Sequence, residues 1–288
     1  MLILPLLQSE IQGLRPTSML QINFNSRIQS NSKKATNDDM NNTAGSYTRD
    51  EAKMPADSTI ARKLPEDEAI ILGKTNPSQW GHCRPFSVSN GCSSGSAVAA
   101  TLGLATVCLG AETSGSIIAP SHFNNIVGMK PTVGLISRHL VVPVSEHMDS
   151  IGPMTKTFRD SAYALEHRST GSMLQAFNKS LAILRSAGAI IVENTDFPTA
   201  QESMDNGLLT VRIVAADFVV AAEKYLDLLV YNPHNIIELA DLREWTQSSP
   251  LEGYPNKPTE VWDAALQDWI NTDYEFWRAY QRTPILGQ

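Results

Sequence analysis

Residues 90–120 read NGCSSGSAVAATLGLATVCLGAETSGSIIAP, and this stretch decides the fold. Two clusters of glycine and serine, 91–96 and 114–116, bracket a small-residue apolar run. The run is expected to form a helix over 96–104, a buried strand over 105–109 and then a loop over 110–116. Serine beside glycine builds turns, because glycine accepts positive φ and serine bonds nearby backbone. The same pair can also present a hydroxyl nucleophile beside open backbone N–H groups.

Working outward, 57–76 reads as a helix that Pro65 and Glu66 should end early, followed by a strand over 69–72. The segment IVGMKPTVGLIS reads as a strand and turn punctuated by Pro131 and Gly134. Phe177, Leu181 and Leu184 mark a helix that stops near Gly188 and leads into a strand over 189–193. Helix, glycine and short strand make the repeating unit of a layered α/β domain. Residues 15–50 are polar and rich in turn formers, so 1–50 is expected to be irregular, 51–198 to form the core and 199–288 a helical part of the same domain. Trp245, Trp262, Trp269 and Trp277 in that last part read as packing anchors.

The chain has 288 residues, 42% of them hydrophobic and 18% charged, enough to bury a sizeable core. Its net charge of −7, with lysines and arginines scattered, argues against nucleic-acid or anionic-membrane partners. The longest apolar stretch, LLTVRIVAADFVVAAEKYLDLLV, carries Arg212, Asp217, Glu223 and Lys224, so it reads as a core helix and not a membrane span. The start, MLILPLLQSE, is broken by Pro5, lacks leading basic residues and makes a poor signal peptide. Cys83, Cys92 and Cys108 lack metal-ligand spacing and suit a reducing compartment, with the cytoplasm as default. The expectation is a chain with no cofactor or metal and a small-molecule partner; its oligomeric state is not legible.

Four residue sets carry candidate chemistry. GCSSG, 91–95, fits G-x-S-x-G with Ser93 in the nucleophile position, but the preceding CRPFSVSN is polar and holds Pro85, unlike the buried strand a nucleophile elbow needs. The loop ETSGS presents Ser116, with the backbone N–H groups of Thr113, Ser114, Gly115 and Ser116 as donors for an oxyanion. A plain structural turn is the alternative there. The six histidines, His82, His122, His139, His147, His167 and His234, have no metal-ligand spacing, while Asp149 could orient a base. Cys92 lies ahead of a helix N-terminus, where a thiolate is favoured, although a small buried residue is the plainer reading.

The continuous stretch GCSSGSAVAATLGLATVCLGAETSGSIIAPSHFNNIVGMKPTVGLISRHLVVPVSEHMDSIGPM, with TKTFRDSAYAL after it, closely resembles the amidase signature family, in its fungal form. Weaker similarity runs through ATNDDMNNTAGSY, IILGKTNPSQW, AGAIIVENTDFP and YNPHNIIELAD. The resemblance implies an α/β fold with a mixed central sheet between helical layers, and hydrolysis of carboxamides to acids and ammonia by a Ser–cis-Ser–Lys triad. It implies Ser116 as the acyl-forming nucleophile, with Thr113, Ser114 and Gly115 contributing to the oxyanion hole. A lysine serves as base only when desolvation and its neighbours keep it neutral, and a bridging serine then relays the proton.

Two departures matter. The bridging position is Cys92, a weaker hydrogen-bond donor than serine, and Ser93 is its possible substitute. Where the family carries K-D-N-I, this chain reads NSKK, so the lysine register falls on Asn31 and the candidate bases are Lys33 and Lys34. Both lysines also fit solvated loop positions. The resemblance opens gaps before residue 31, between 85 and 90 and near 168–172, and the final sheet and helix segments of the family have no match, so an incomplete version of that fold is expected. Two further readings stay open: an amidase-like remnant that binds without turnover, and an α/β-hydrolase esterase built on Ser93 and a histidine.

Overall fold

The computed structural model describes residues 21–25, 42–66, 69–81, 91–166, 185–186, 188 and 207–281. Among these residues, five strands form one mixed sheet: β1 (Gln21–Asn25), β2 (Ile70–Thr75), β3 (Val107–Glu112), β4 (Val127–Gly128) and β5 (Ser150–Thr155), in the order β2-β1-β3-β5-β4. β1 runs parallel to both β2 and β3, whereas β5 is antiparallel to β3 and β4.

Every residue of β3 and β5 is buried, the burial of a strand covered on both faces. Alternate side chains of β3 therefore enter different cores. Val107 and Leu109 pack with Ile60 and Leu64 of helix α1 (Thr59–Glu66) and Ala164 of helix α4 (Phe158–Glu166). Cys108 faces the other way, onto Ala97, Ala99 and Ala100 of α2 (Ser94–Thr101) and Ile117, next to α3 (Ile118–Phe123). This is the mixed sheet between helical layers that the sequence implied.

Among the described residues, four more helices follow: α5 (Gly207–Leu226), α6 (Leu239–Ser248), α7 (Glu260–Ala265) and α8 (Tyr274–Tyr280). Phe218 and Ala222 of α5 join Leu242 and the fully buried Trp262 in a core that also takes Trp80 and Val142. Trp262 is thus a packing anchor, whereas Trp277 stays 43% exposed. On the opposite side of α5, Ile213 and Ala216 pack on Phe276 of α8. Arg212 clamps Asp268 with two hydrogen bonds of 2.6 and 2.7 Å and stacks on Trp269; the guanidinium holds the Asp268 carboxyl below its usual range.

Several expectations are corrected. The segment expected to be irregular contains β1, which sits between β2 and β3 inside the sheet. Helix α1 continues through Pro65 to Glu66 before it stops. Helix α2 starts and ends earlier than 96–104, and β3 lies further along than 105–109, so three residues of the expected loop, Gly110, Ala111 and Glu112, belong to the strand. Gly110 reads as a loop residue but serves close packing: a Cβ there would come within 2.9 Å of Ile117, Met154 and Ser93 Oγ. The expected helix through Phe177 and the strand over 189–193 fall essentially outside the described residues.

The C-terminal helices are tied to the N-terminal half by buried polar contacts. Arg49 Nη1 donates to the Tyr225 hydroxyl at 2.5 Å, and its guanidinium lies over the Tyr225 and Trp80 rings. Burial pushes the Tyr225 phenol above its ordinary value, and the Arg49 charge pulls it only part of the way back. A raised folded pKa gives stability that is complete below the unfolded value of about 10 and declines as pH rises past it. Thermal melts should therefore show a loss of stability above about pH 10 that is shallower in Tyr225→Phe than in the parent; equal slopes would remove Tyr225 as the cause.

Candidate active site

The site is built where β3 ends. Glu112, the last residue of β3, turns its carboxylate onto the following loop: Oε1 accepts from the Gly115 N–H at 2.9 Å, and Oε2 accepts from Ile117 at 2.6 Å and Ile118 at 2.9 Å. Gly115 sits at φ +81°, a conformation side chains rarely adopt, and this lets the chain reverse around the carboxylate. Ser116 is carried on the far side of that turn and is 7% exposed. Thr113, on the near side, donates through Oγ1 to Asp149, whose other oxygen accepts the Val144 N–H at 2.7 Å. Asp149 thus holds the loop that bears Ser116.

The first glycine–serine cluster meets the second directly. Ser93 N–H donates to the Ser116 carbonyl at 3.1 Å. The Ser93 hydroxyl is fully buried and clasps Ala111, accepting its N–H and donating to its C=O, each at 3.1 Å. The described register of β1 on β3 ends at Leu109, and Ser93 bonds the strand backbone two residues further on. Ser96 extends the clasp with a 2.7 Å bond to the Leu109 carbonyl.

The sequence-derived candidates therefore separate. Ser116, Thr113, Ser114 and Gly115 share one wall of a cavity of about 470 Å³. Among the oxyanion donors, the Gly115 N–H is already engaged by Glu112. Cys92 is completely buried at the start of α2, two residues before Ser94, and its carbonyl accepts the Ser78 N–H at 3.1 Å. Ser93, being fully buried and bound to β3, lacks the exposure an esterase elbow requires. Lys33, Lys34 and Asn31 lie outside the described residues.

Most of the remaining lining comes from the helical part: Thr210, Val211, Val214, Ala215 and Phe218 of α5, and Val261, Trp262 and Ala265 of α7. The α5 positions recur at the three- and four-residue spacing of one helix face. Sequence reasoning assigned these helices to packing and missed that one face overlooks Ser116. It also missed the buried carboxylate of Asp217 on α5, which accepts from the Ser145 hydroxyl and from Asn271 at 3.0 Å and pairs with His147 Nδ1 at 2.9 Å. His147 in turn lies against the Phe276, Trp277 and Tyr280 rings, so this pair fastens the segment after Leu140 to α5 and α8. Burial, with the Asp217 charge adding to it, raises the Tyr280 phenol. No group of histidine, cysteine and carboxylate suited to a metal occurs among the described residues, and no helix among them is long and apolar enough to cross a membrane.

Comparison with known proteins agrees with this architecture. Residues 34–174 match the family model Amidase. The chain is 37% identical over 319 aligned positions to a protein of Arthroderma benhamiae named "Putative amidase", with 88% of this chain and 54% of the relative covered. A "Probable amidase" of Arabidopsis thaliana is 37% identical over 185 positions, covering 56% of this chain and 36% of the relative. In structure the chain is similar to the peptide amidase from Stenotrophomonas maltophilia, with a TM-score of 0.72 at 24% identity over 91% of this chain and 64% of that one. The matched region, residues 34–174, is thus of the Amidase family, and the chain has the fold of the solved amidases. It spans about half the length of the fungal relative, and the alignment is longer than the chain itself, so the relative carries segments with no counterpart here.

The Ser93 clasp makes a separate prediction. Ser93→Ala leaves the Ala111 N–H and C=O buried without their side-chain partner and should cost about 1–3 kcal/mol of stability. Urea unfolding measures it, and an unchanged midpoint would show that the clasp is dispensable.

Proposed function

We propose that the chain is a carboxamide hydrolase in which Ser116 is the acyl-forming nucleophile. One observation supports this reading: Ser116, the serine singled out by the resemblance, lies on a carboxylate-braced turn that lines the largely apolar cavity. In the proposed reaction Ser116 Oγ adds to the amide carbon, and the N–H groups of the 113–116 turn stabilise the resulting oxyanion. The C–N bond then breaks, nitrogen leaves as ammonia after taking a proton, and water cleaves the acyl ester. The proton from Ser116 would pass by the bridging position, Cys92, to a lysine, with Lys33 and Lys34 the candidates. No metal or cofactor is invoked in these steps. The substrate is a small-molecule amide.

A second reading is favoured by the residue at the bridging position. Sulfur is a weaker donor than a hydroxyl, so Cys92, together with Asn31 in the lysine register, supports an amidase core that binds amides with little turnover. The two readings separate in one assay of ammonia release from simple primary amides. The hydrolase reading predicts measurable release that falls at least about 1,000-fold in Ser116→Ala. It also predicts a rise in Cys92→Ser. Release that survives Ser116→Ala removes Ser116 as the nucleophile, and silence in the parent that Asn31→Lys with Cys92→Ser restores supports the impaired core.

A further inference from the structure

The cavity above Ser116 has two unlike ends. Polar groups cluster at the 113–116 turn, while the helical lining, apart from Thr210, is apolar: Val211, Val214 and Phe218 of α5 with Val261 and Trp262 of α7. Among the described residues, no charged side chain lines it anywhere. Two of the wall residues are left open to solvent, Val211 at 58% and Val261 at 44%, so the apolar surface continues outward. A volume of about 470 Å³ lies within the range of small-ligand sites.

From this lining we infer that the site selects an uncharged primary carboxamide with an apolar acyl group of medium length, an inference that rests on the hydrolase reading of Ser116. The carboxamide head meets the turn, and the acyl tail lies between the facing stripes of α5 and α7. Each methylene placed there leaves water for an apolar wall. An amide that also carries an ammonium or carboxylate near its acyl chain would have to press that charge against Val211, Val214, Phe218 and Trp262. Glutamine and succinamic acid are amides of that excluded type.

The test is kcat/KM across linear primary amides from butanamide to octanamide, with glutamine and succinamic acid alongside. The expected result is a rise of about fourfold per methylene until the cavity fills, with both charged amides below butanamide. A flat series, or a preference for either charged amide while hydrolysis persists, overturns the inference and leaves the hydrolase reading standing. If no amide is turned over, the hydrolase reading fails by itself, and calorimetric binding to the Ser116→Ala chain decides the specificity. Octanamide should then bind at least about 100-fold more tightly than butanamide. That gain should fall at least tenfold in Val211→Lys and in Val261→Lys, whose exposed positions accept a lysine without disturbing the core. Equal affinity for octanamide and butanamide, or an unaltered gain in both lysine variants, overturns it.

Discussion

The carboxylate of Glu112 holds the loop that everything else serves. By taking the N–H groups of Gly115, Ile117 and Ile118, it ends β3, forms the turn and starts α3 in a single contact. Hydrogen bonds to a charged acceptor are stronger than neutral ones, and 4% exposure keeps water from competing with them. Ser116 acquires its position from this arrangement, since its own carbonyl is fixed from below by Ser93 and the turn is steadied from the side by Thr113 and Asp149. The arrangement also has a cost for the oxyanion site, because Gly115 already has an acceptor in the unliganded chain.

The glycine–serine clusters therefore perform different tasks, although they look alike in sequence. In the first, Ser93 and Ser96 bond the backbone of β3 at Ala111 and Leu109. In the second, Ser116 is presented to a cavity. Between them, small side chains let α2 lie close on the sheet, and Cys92 occupies a fully buried position that a serine fills in the family pattern.

The layered α/β fold is legible in the sequence because the apolar run, the glycines and the long ordered signature all agree. The limits of legibility are equally physical. β1 shows the alternation of a strand, with Ile22 and Phe24 between polar residues, but the pattern is short, lies inside a polar, turn-rich stretch, and has neighbours on both sides from distant sequence. Gly110 has the look of a loop residue, yet its missing side chain makes room for Ile117 and Met154. Asp217 stands out as a charge within an apolar helix, but its partners Ser145 and His147 lie about 70 residues away, beyond any local pattern. Ser116 itself is singled out by the family signature; from the residues alone, a turn explains it at least as well. The helix faces that wall the cavity carry no local signal of that role, because packing and substrate lining use the same apolar spacing.

Everything proposed for the site depends on Ser116 being the reactive hydroxyl. Treating the full chain with phenylmethylsulfonyl fluoride, then locating the adduct by peptide mass spectrometry, asks this whatever the natural substrate is. The account predicts a single sulfonyl adduct on Ser116 that Ser116→Ala removes. An adduct on Ser93 or on another serine, with Ser116 unmodified, would contradict it.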